Sequence, residues 1–408
     1  MAMVNVVGII GGGLTGATVA QTLRAEGFAG RVLVFGDEPY QPYDRPCLSK
    51  GALLDGPDQP VEIFKSGWAE AADIEFFHGV NVTNIDPATG MLTLDSHITV
   101  EVDRIVLATG SRARRLVVPG AGLDGVHHLR TWADSLSLRR AIQPGTNLVV
   151  IGGGLIGCEI ATTATKLGAK VTLVEAGGEL LERVLGPTIG AFCRKELVAM
   201  GVAIHLNSQI EAILGTGVVS AVQLSGGGKL DARAVLVSIG GEAVTELAAN
   251  AGLKCASGIV VDAMGQTSHP NVYAAGDVAR WPVRSGGQRC LETYLNSQAQ
   301  GETVARAILG KGQPLPQVPK SWTEIAGHRI QVVGDIVGPG TEIVRQKAEG
   351  SSAIHFRVAP DGIAAAAVSI DAPAEFAMAM RMVEGQVKPD LRQLADPEVA
   401  LRTLLQKK

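Results

Sequence analysis

The chain has 408 residues, 46% hydrophobic and 19% charged, which excludes a disordered polymer and is too long for one ordinary core. A net charge of −4 gives no general attraction to nucleic acid or to an anionic membrane surface, and no apolar run approaches the roughly 18 residues of a membrane span. The five cysteines, Cys47, Cys158, Cys193, Cys255 and Cys290, show no CxxC or CxxxxC spacing, which argues against a disulfide framework or a Cys-held metal cluster and for a reducing, cytoplasmic setting.

The opening MAMVNVVGIIGGG is a short apolar run that lacks a basic flank and enters a glycine turn at once, so it is expected to be a first strand and not a signal peptide. VVGIIGGGLTGATVA, from Val6, returns as LVVIGGGLIGCEIA, from Leu148, and the first motif glycines, Gly11 and Gly152, stand 141 positions apart. That distance marks a duplicated domain type and not a repeat array. Each copy runs from a β-branched strand through Gly-x-Gly-x-x-Gly into an Ala-rich helical pattern that ends near a glycine, Gly27 or Gly168. A second apolar strand follows, at 32–35 or 171–174, which completes a βαβ unit. A strand from Arg104 ends in Ala108-Thr109-Gly110. Further strands are predicted at 234–239, 272–275, 329–333, 353–358 and 363–370, a Pro/Gly linker at 312–319, and closing helices at 374–384 and 397–405.

The expected fold is therefore α/β, with two Rossmann-like dinucleotide-binding domains and a small α+β C-terminal domain. The expected boundaries are a discontinuous first domain at 1–112 and 243–318, an inserted second at 113–242, and the C-terminal domain at 319–408.

Gly11, Gly13 and Gly16 form the first fingerprint: a tight turn, close backbone approach to a pyrophosphate, and close helix–strand packing. Gly152, Gly154 and Gly157 form the second, and Glu175 ends the next strand 23 residues after Gly152. A carboxylate there bonds both ribose hydroxyls and repels a 2′-phosphate, so the second site is expected to take NADH. In the first copy the equivalent strand end is Gly36. Asp37 beside it is assigned to the FAD ribose, or else to a surface loop. Two fingerprints, the ATG crossover and the strand ending in Gly276-Asp277 occur in the order of a flavin reductase, and Asp277 is assigned to the ribityl chain.

That order resembles the FAD/NAD-linked reductases of the glutathione-reductase structural type. PYDRPCLSK (42–50), LETYLNSQAQG (291–301) and SWTEIAGHRIQVVGD (321–335) are similar to the NADH-dependent ferredoxin reductases of aromatic-ring dioxygenase systems. The resemblance covers essentially the whole chain. It implies an oxidoreductase that carries FAD, takes electrons from NADH and delivers them singly to a 2Fe-2S ferredoxin, which feeds a terminal ring-hydroxylating oxygenase.

The resemblance also assigns residues. Arg45, Lys50 and Arg130 lie near the flavin, with Lys50 approaching the isoalloxazine, and Trp322 supplies an aromatic there. Ala108, Thr109, Gly110, Gly276, Val82 and Tyr294 join the FAD contacts. Glu159, Arg183 and Gly240 join Glu175 at the NAD site. Lys50, Glu159 and Trp322 are placed nearest the chemistry, and no metal site is expected. Other readings stay open: Lys50 and Arg45 as solvated loop charges, Glu159 as a carboxylate paired within its helix, Trp322 as core at a domain junction.

Cys47 takes the variable position of DRPxLSK, and a thiol-dependent NADH oxidase or peroxidase is the alternative it raises. A redox-controlled interaction module like the apoptosis-inducing factors is a second alternative. Arg112, Arg114 and Arg115 form a small basic cluster, read either as a solvated loop or as a docking patch for an acidic ferredoxin. His127–His128 is read as a surface pair.

Overall fold

A computed structural model describes residues 4–54, 56–346 and 352–405. The chain divides into two units: Met1–Asp44 with Gln59–Arg112 and Glu242–Pro319, and Arg45–Asp58 with Ala113–Gly241 and Lys320–Lys408.

In the first unit the central strand is Val6–Ile10, with Val7, Ile9 and Ile10 buried as a parallel strand covered on both faces requires. Arg31–Gly36 pairs on one side and Arg104–Leu107 on the other, and Glu75–His78 and Val272–Ala274 complete five parallel strands. The winding reverses at Val6–Ile10, which opens a crevice at its carboxyl end. Helix Leu14–Ala25 leaves from that end and packs on helix Tyr294–Ile308. Gly301 permits the approach, since a Cβ there would stand 3.0 Å from the Thr15 carbonyl oxygen.

The stretch 312–319, expected as a linker, forms no helix or strand and ends the first unit, and it is tied down. The buried Trp281 donates its indole N–H to the Leu315 carbonyl at 3.0 Å, and Asn296 donates to the buried Gln317 side chain at 3.1 Å. The Pro-rich composition suppresses regular structure there, but side-chain hydrogen bonds fix the chain all the same.

The second unit repeats the design. Asn147–Ile151 lies between Lys170–Val174 and Ala234–Val237, with Ala203–His205 and Val126–His127 at the edges, all parallel. The same unit holds a five-stranded antiparallel sheet in the order Lys320–Ile325, His328–Gly334, Ala364–Ile370, Ala353–Val358, Thr341–Gln346. Helix Pro373–Glu384 packs against it.

The closing helix expected over 397–405 is shorter, Leu401–Leu404, and a separate helix forms at Leu391–Ala395. The reason is Arg345, a guanidinium 3% exposed. It donates to the carbonyls of Leu394, Asp396, Pro397 and Val399. Those carbonyls serve a buried cation, so the segment between the two short helices stays irregular.

Candidate functional site

The two glycine loops match residue for residue. Gly11 (φ +123°) and Gly152 (φ +105°) adopt backbone conformations that favour glycine. A Cβ on Gly11 would lie 2.1 Å from the Ala108 oxygen, and one on Gly152 would lie 2.2 Å from the Ser238 oxygen. On Gly16 or Gly157 it would lie 2.0 Å from the carbonyl oxygen of Gly11 or Gly152. These four glycines are thus spent on backbone packing, Gly11 and Gly152 against the end of a neighbouring strand and Gly16 and Gly157 against the loop that precedes their helix.

Gly13 and Gly154 differ, because no heavy atom stands within 4 Å of a Cβ built on either. Each is the N-cap of its helix, in extended backbone, with no side chain capping the end and no acid in the first turn. Each helix therefore presents backbone donors and a positive dipole end to open space, which fits the pyrophosphate of a dinucleotide.

Around the first loop the structure gathers the expected partners. Gly276 (φ +80°) packs so closely on the helix that its Cβ would meet Thr15 Oγ1 at 2.4 Å. Its N–H donates to the buried Gln300 at 2.7 Å. Asp277 accepts from Ser111 at 3.1 Å and from Ser297 at 3.3 Å, which fixes its carboxylate beside the loop. Thr109 donates to the Val244 carbonyl at 2.7 Å, and Gly110 turns at φ +70°.

Asp37 is exposed, and it is Gly36 that lies under the loop, its Cα 3.0 Å from a Cβ built on Gly12. The side chain of Val82 is buried in the core. Tyr294 begins its helix, and burial, then the Asp44 charge, holds its phenol above the usual range.

Around the second loop Glu175 accepts the Gly153 N–H and the Gly177 N–H, both at 2.6 Å. Gly240 turns at φ +102° and accepts the Arg114 N–H at 3.0 Å. Arg183 is exposed in the first turn of helix Glu182–Ala199, ahead of a break at Gly186.

The same unit contains a buried ion pair. Glu159, 4% exposed, accepts Lys50 Nζ at 2.7 Å. The hydroxyl of Thr323 donates to Oε1 at 2.6 Å and that of Ser49 to Oε2 at 2.5 Å. Lys50 also reaches the Pro46 carbonyl at 3.3 Å, and its side chain keeps 24% exposure. Glu159 therefore bonds between segments and not within its own helix. Arg45 donates to the Arg130 carbonyl at 2.7 Å, which links two of the arginines assigned to the flavin. Trp322 is half-buried on the strand that carries Thr323.

The chain matches the model of the family "Pyridine nucleotide-disulphide oxidoreductase" over residues 5–301 and that of "Reductase C-terminal" over 321–405. It is 49% identical to the biphenyl dioxygenase system ferredoxin–NAD(+) reductase component of Paraburkholderia xenovorans (strain LB400), over 100% of both chains. It is 48% identical to the benzene 1,2-dioxygenase system ferredoxin–NAD(+) reductase subunit of Pseudomonas putida, over 99% of this chain and 98% of that one. The chain belongs to the pyridine nucleotide-disulphide oxidoreductases.

Among solved structures, this oxidoreductase superposes on putidaredoxin reductase, determined in a covalent complex with putidaredoxin, with a TM-score of 0.94, 30% identity and 98% coverage of each chain. A ferredoxin reductase from Rhodopseudomonas palustris gives the same TM-score at 31% identity, over 98% of this chain and 100% of that one.

Other polar features of the oxidoreductase depart from the sequence reading. Arg112 is not part of a free basic patch, because it pairs with Glu242 at 3.1 Å and Glu246 at 2.5 Å. Arg114 donates to the Gly241 carbonyl at 2.9 Å. His127 and His128 are half-buried and not a surface pair, and burial, more than any neighbouring charge, holds both imidazoles below their usual range. Among the described residues no three His, Cys, Asp or Glu side chains gather into a metal site, and no helix is long and apolar enough to cross a membrane.

Sequence reasoning missed Ser49 and Thr323. Both lay inside quoted motifs, LSK and SWTE, but hydroxyls carry no periodic signal. It also missed Glu179, whose carboxylate takes Arg194 Nε at 3.0 Å beside the turn at Leu180–Leu181. That turn crosses the second loop, with the Leu181 N–H donating to the Gly153 carbonyl at 2.9 Å.

Proposed function

We propose that the chain is a cytoplasmic NADH:ferredoxin oxidoreductase that passes electrons to a 2Fe-2S ferredoxin, which feeds an aromatic-ring dioxygenase. The observation that carries the reading is the duplicated, uncapped glycine loop. One copy stands beside the fixed carboxylate of Asp277, and the other beside Glu175. Relatives named for biphenyl, benzene and chlorobenzene dioxygenase systems support the ferredoxin as partner.

In this reading residues 1–112 and 243–318 hold FAD, residues 113–242 hold NADH, and residues 319–408 form the third domain. The loop shaped by Gly11 and Gly16 receives the FAD pyrophosphate at its open Gly13 end, and Asp277 accepts a ribityl hydroxyl. The loop shaped by Gly152 and Gly157 receives the NADH pyrophosphate at its open Gly154 end. Glu175 accepts ribose hydroxyls, and Ala176, Gly177 and Gly178 after it supply no cation for a 2′-phosphate. Lys50 supplies a fixed positive charge to the flavin ring. FAD held by these residues would supply the conversion of a two-electron hydride into single electrons.

The test is steady-state turnover of the FAD-loaded protein with NADH and a dioxygenase-system 2Fe-2S ferredoxin, followed by ferredoxin bleaching. Ferredoxin reduction is the expected result. NADH turnover with a disulfide or a peroxide but none with ferredoxin contradicts the proposal.

A further inference from the structure

We infer that Ser49 and Thr323 are positioning residues for the reductive half-reaction: their two hydroxyls clamp Glu159 so that Lys50 is held at one place and one orientation. The inference rests on the assignment of Lys50 to the flavin.

Glu159 has a carboxylate with two oxygens and three donors. Oε1 takes Lys50 and Thr323, at 2.7 and 2.6 Å, and Oε2 takes Ser49 at 2.5 Å. The donors come from segments far apart in sequence, the 3-10 turn Arg45–Ser49 with Lys50 after it and the strand Lys320–Ile325. Ser49 and Thr323 are each 1% exposed, so neither hydroxyl has water as an alternative partner. A buried carboxylate that lost one of them would leave an acceptor unsatisfied.

Further hydroxyls lace the same three segments. Thr163 donates to the Ser49 carbonyl at 2.8 Å, and Thr162 accepts the Ala326 N–H at 3.0 Å. The helix Leu155–Lys166 is thereby fixed to the turn before Lys50 on one side and to the strand of Trp322 and Thr323 on the other.

The consequence falls on Lys50. Its ammonium has three donors, and two are placed, on Glu159 and on the Pro46 carbonyl. Where the third points follows from where Glu159 is held. A lysine left on a mobile carboxylate would sample several orientations, and a charge offered to a reacting group acts best when it is already in place. Ser49 and Thr323 fix the carboxylate, and the carboxylate fixes the cation.

The experiment compares Thr323→Val, Thr323→Ser and Ser49→Ala, each loaded with FAD. It follows anaerobic bleaching by NADH in a stopped flow, the visible absorption spectrum of the bound flavin, and the dissociation constant for NAD⁺. Thr323→Val is expected to slow bleaching about tenfold, as loss of one hydrogen bond to a charged group predicts. It should shift the flavin bands, while the NAD⁺ dissociation constant separates weakened coenzyme binding from slower bleaching by bound NADH. Thr323→Ser keeps the hydroxyl and restores rate and spectrum. Ser49→Ala, acting on the other oxygen, reproduces the Thr323→Val effect and serves in its place should that variant fail to fold. The inference is overturned by Thr323→Val or Ser49→Ala proteins that bind FAD and match wild type in rate and spectrum. It is overturned equally by a Thr323→Ser variant as slow as Thr323→Val. Failure of the underlying assignment looks different: Lys50→Met would then leave the flavin bands and the bleaching rate of the FAD-loaded protein unchanged.

Discussion

Glu175 reaches back across the second glycine loop and accepts the Gly153 N–H at 2.6 Å, while its other oxygen accepts Gly177 N–H at the same distance. A strand-end carboxylate held by two backbone donors is fixed in place and not a solvated surface charge, as the proposed ribose role requires. Glu175→Ala is expected to raise the NADH KM about tenfold with a smaller change in kcat, and to narrow the preference for NADH over NADPH. The ratio of kcat/KM for the two coenzymes checks this, and an unchanged ratio argues against the role.

Gly13 and Gly16 lie three residues apart and should answer substitution differently. Gly16→Ala sets a methyl 2.0 Å from the Gly11 oxygen, so helix and strand must separate. Lower thermal stability together with loss of FAD is expected. Gly13→Ala meets nothing within 4 Å and has φ −85°, so the fold tolerates it, while the methyl occupies the space offered to the pyrophosphate. A stable protein with weak FAD retention is the expected outcome. Melting temperature and FAD content, measured together, separate the two, and equal behaviour would count against the division of roles.

Cys47 sits in the 3-10 turn Arg45–Ser49, half-buried and outside any disulfide. Cys47→Ser is expected to keep ferredoxin reduction within about twofold of wild type, because electron transfer through a flavin uses no thiol and serine keeps nearly the same size. Collapse of NADH turnover in that variant would favour the thiol-dependent oxidase reading.

Burial pushes the Cys193 thiol up to about 12 and the Cys290 thiol to about 11, against an ordinary value of 9.0. Folded, these thiols keep their protons; unfolded, they ionise from about pH 9. Above that pH the unfolded chain binds fewer protons than the folded one, so stability is full below about pH 9 and falls as pH climbs toward 12. Cys193→Ala removes one such group and should flatten the decline of Tm between about pH 8.5 and 10.5, whatever it costs at neutral pH. A slope identical to wild type would contradict the assignment.

Much of this architecture was legible because it is local. Glycine spacing after a β-branched run specifies a turn by sterics alone, and the copies at Gly11 and Gly152 agree down to the carbonyl each would strike. Glu175 was legible for the same reason, since it stands at a fixed distance along one βαβ unit. Contacts that join distant segments left no such trace. Ser49 and Thr323 meet on Glu159 from 110 and 164 positions away, and nothing in either neighbourhood specifies that partner. Nothing near Arg345 in sequence specifies its partners either, yet it is buried and donates to four backbone carbonyls around the last two short helices. Asp37, one residue past the strand end at Gly36, stands in the open, as either reading of it, ribose partner or surface loop, requires.

The most direct test is an anaerobic titration of the FAD-loaded protein, first with NADH and then with oxidised 2Fe-2S ferredoxin. The account predicts that one equivalent of NADH bleaches the flavin and that about two equivalents of ferredoxin restore its colour, one electron each. A protein that cannot be loaded with FAD, or a reduced flavin that ferredoxin leaves bleached, would contradict it.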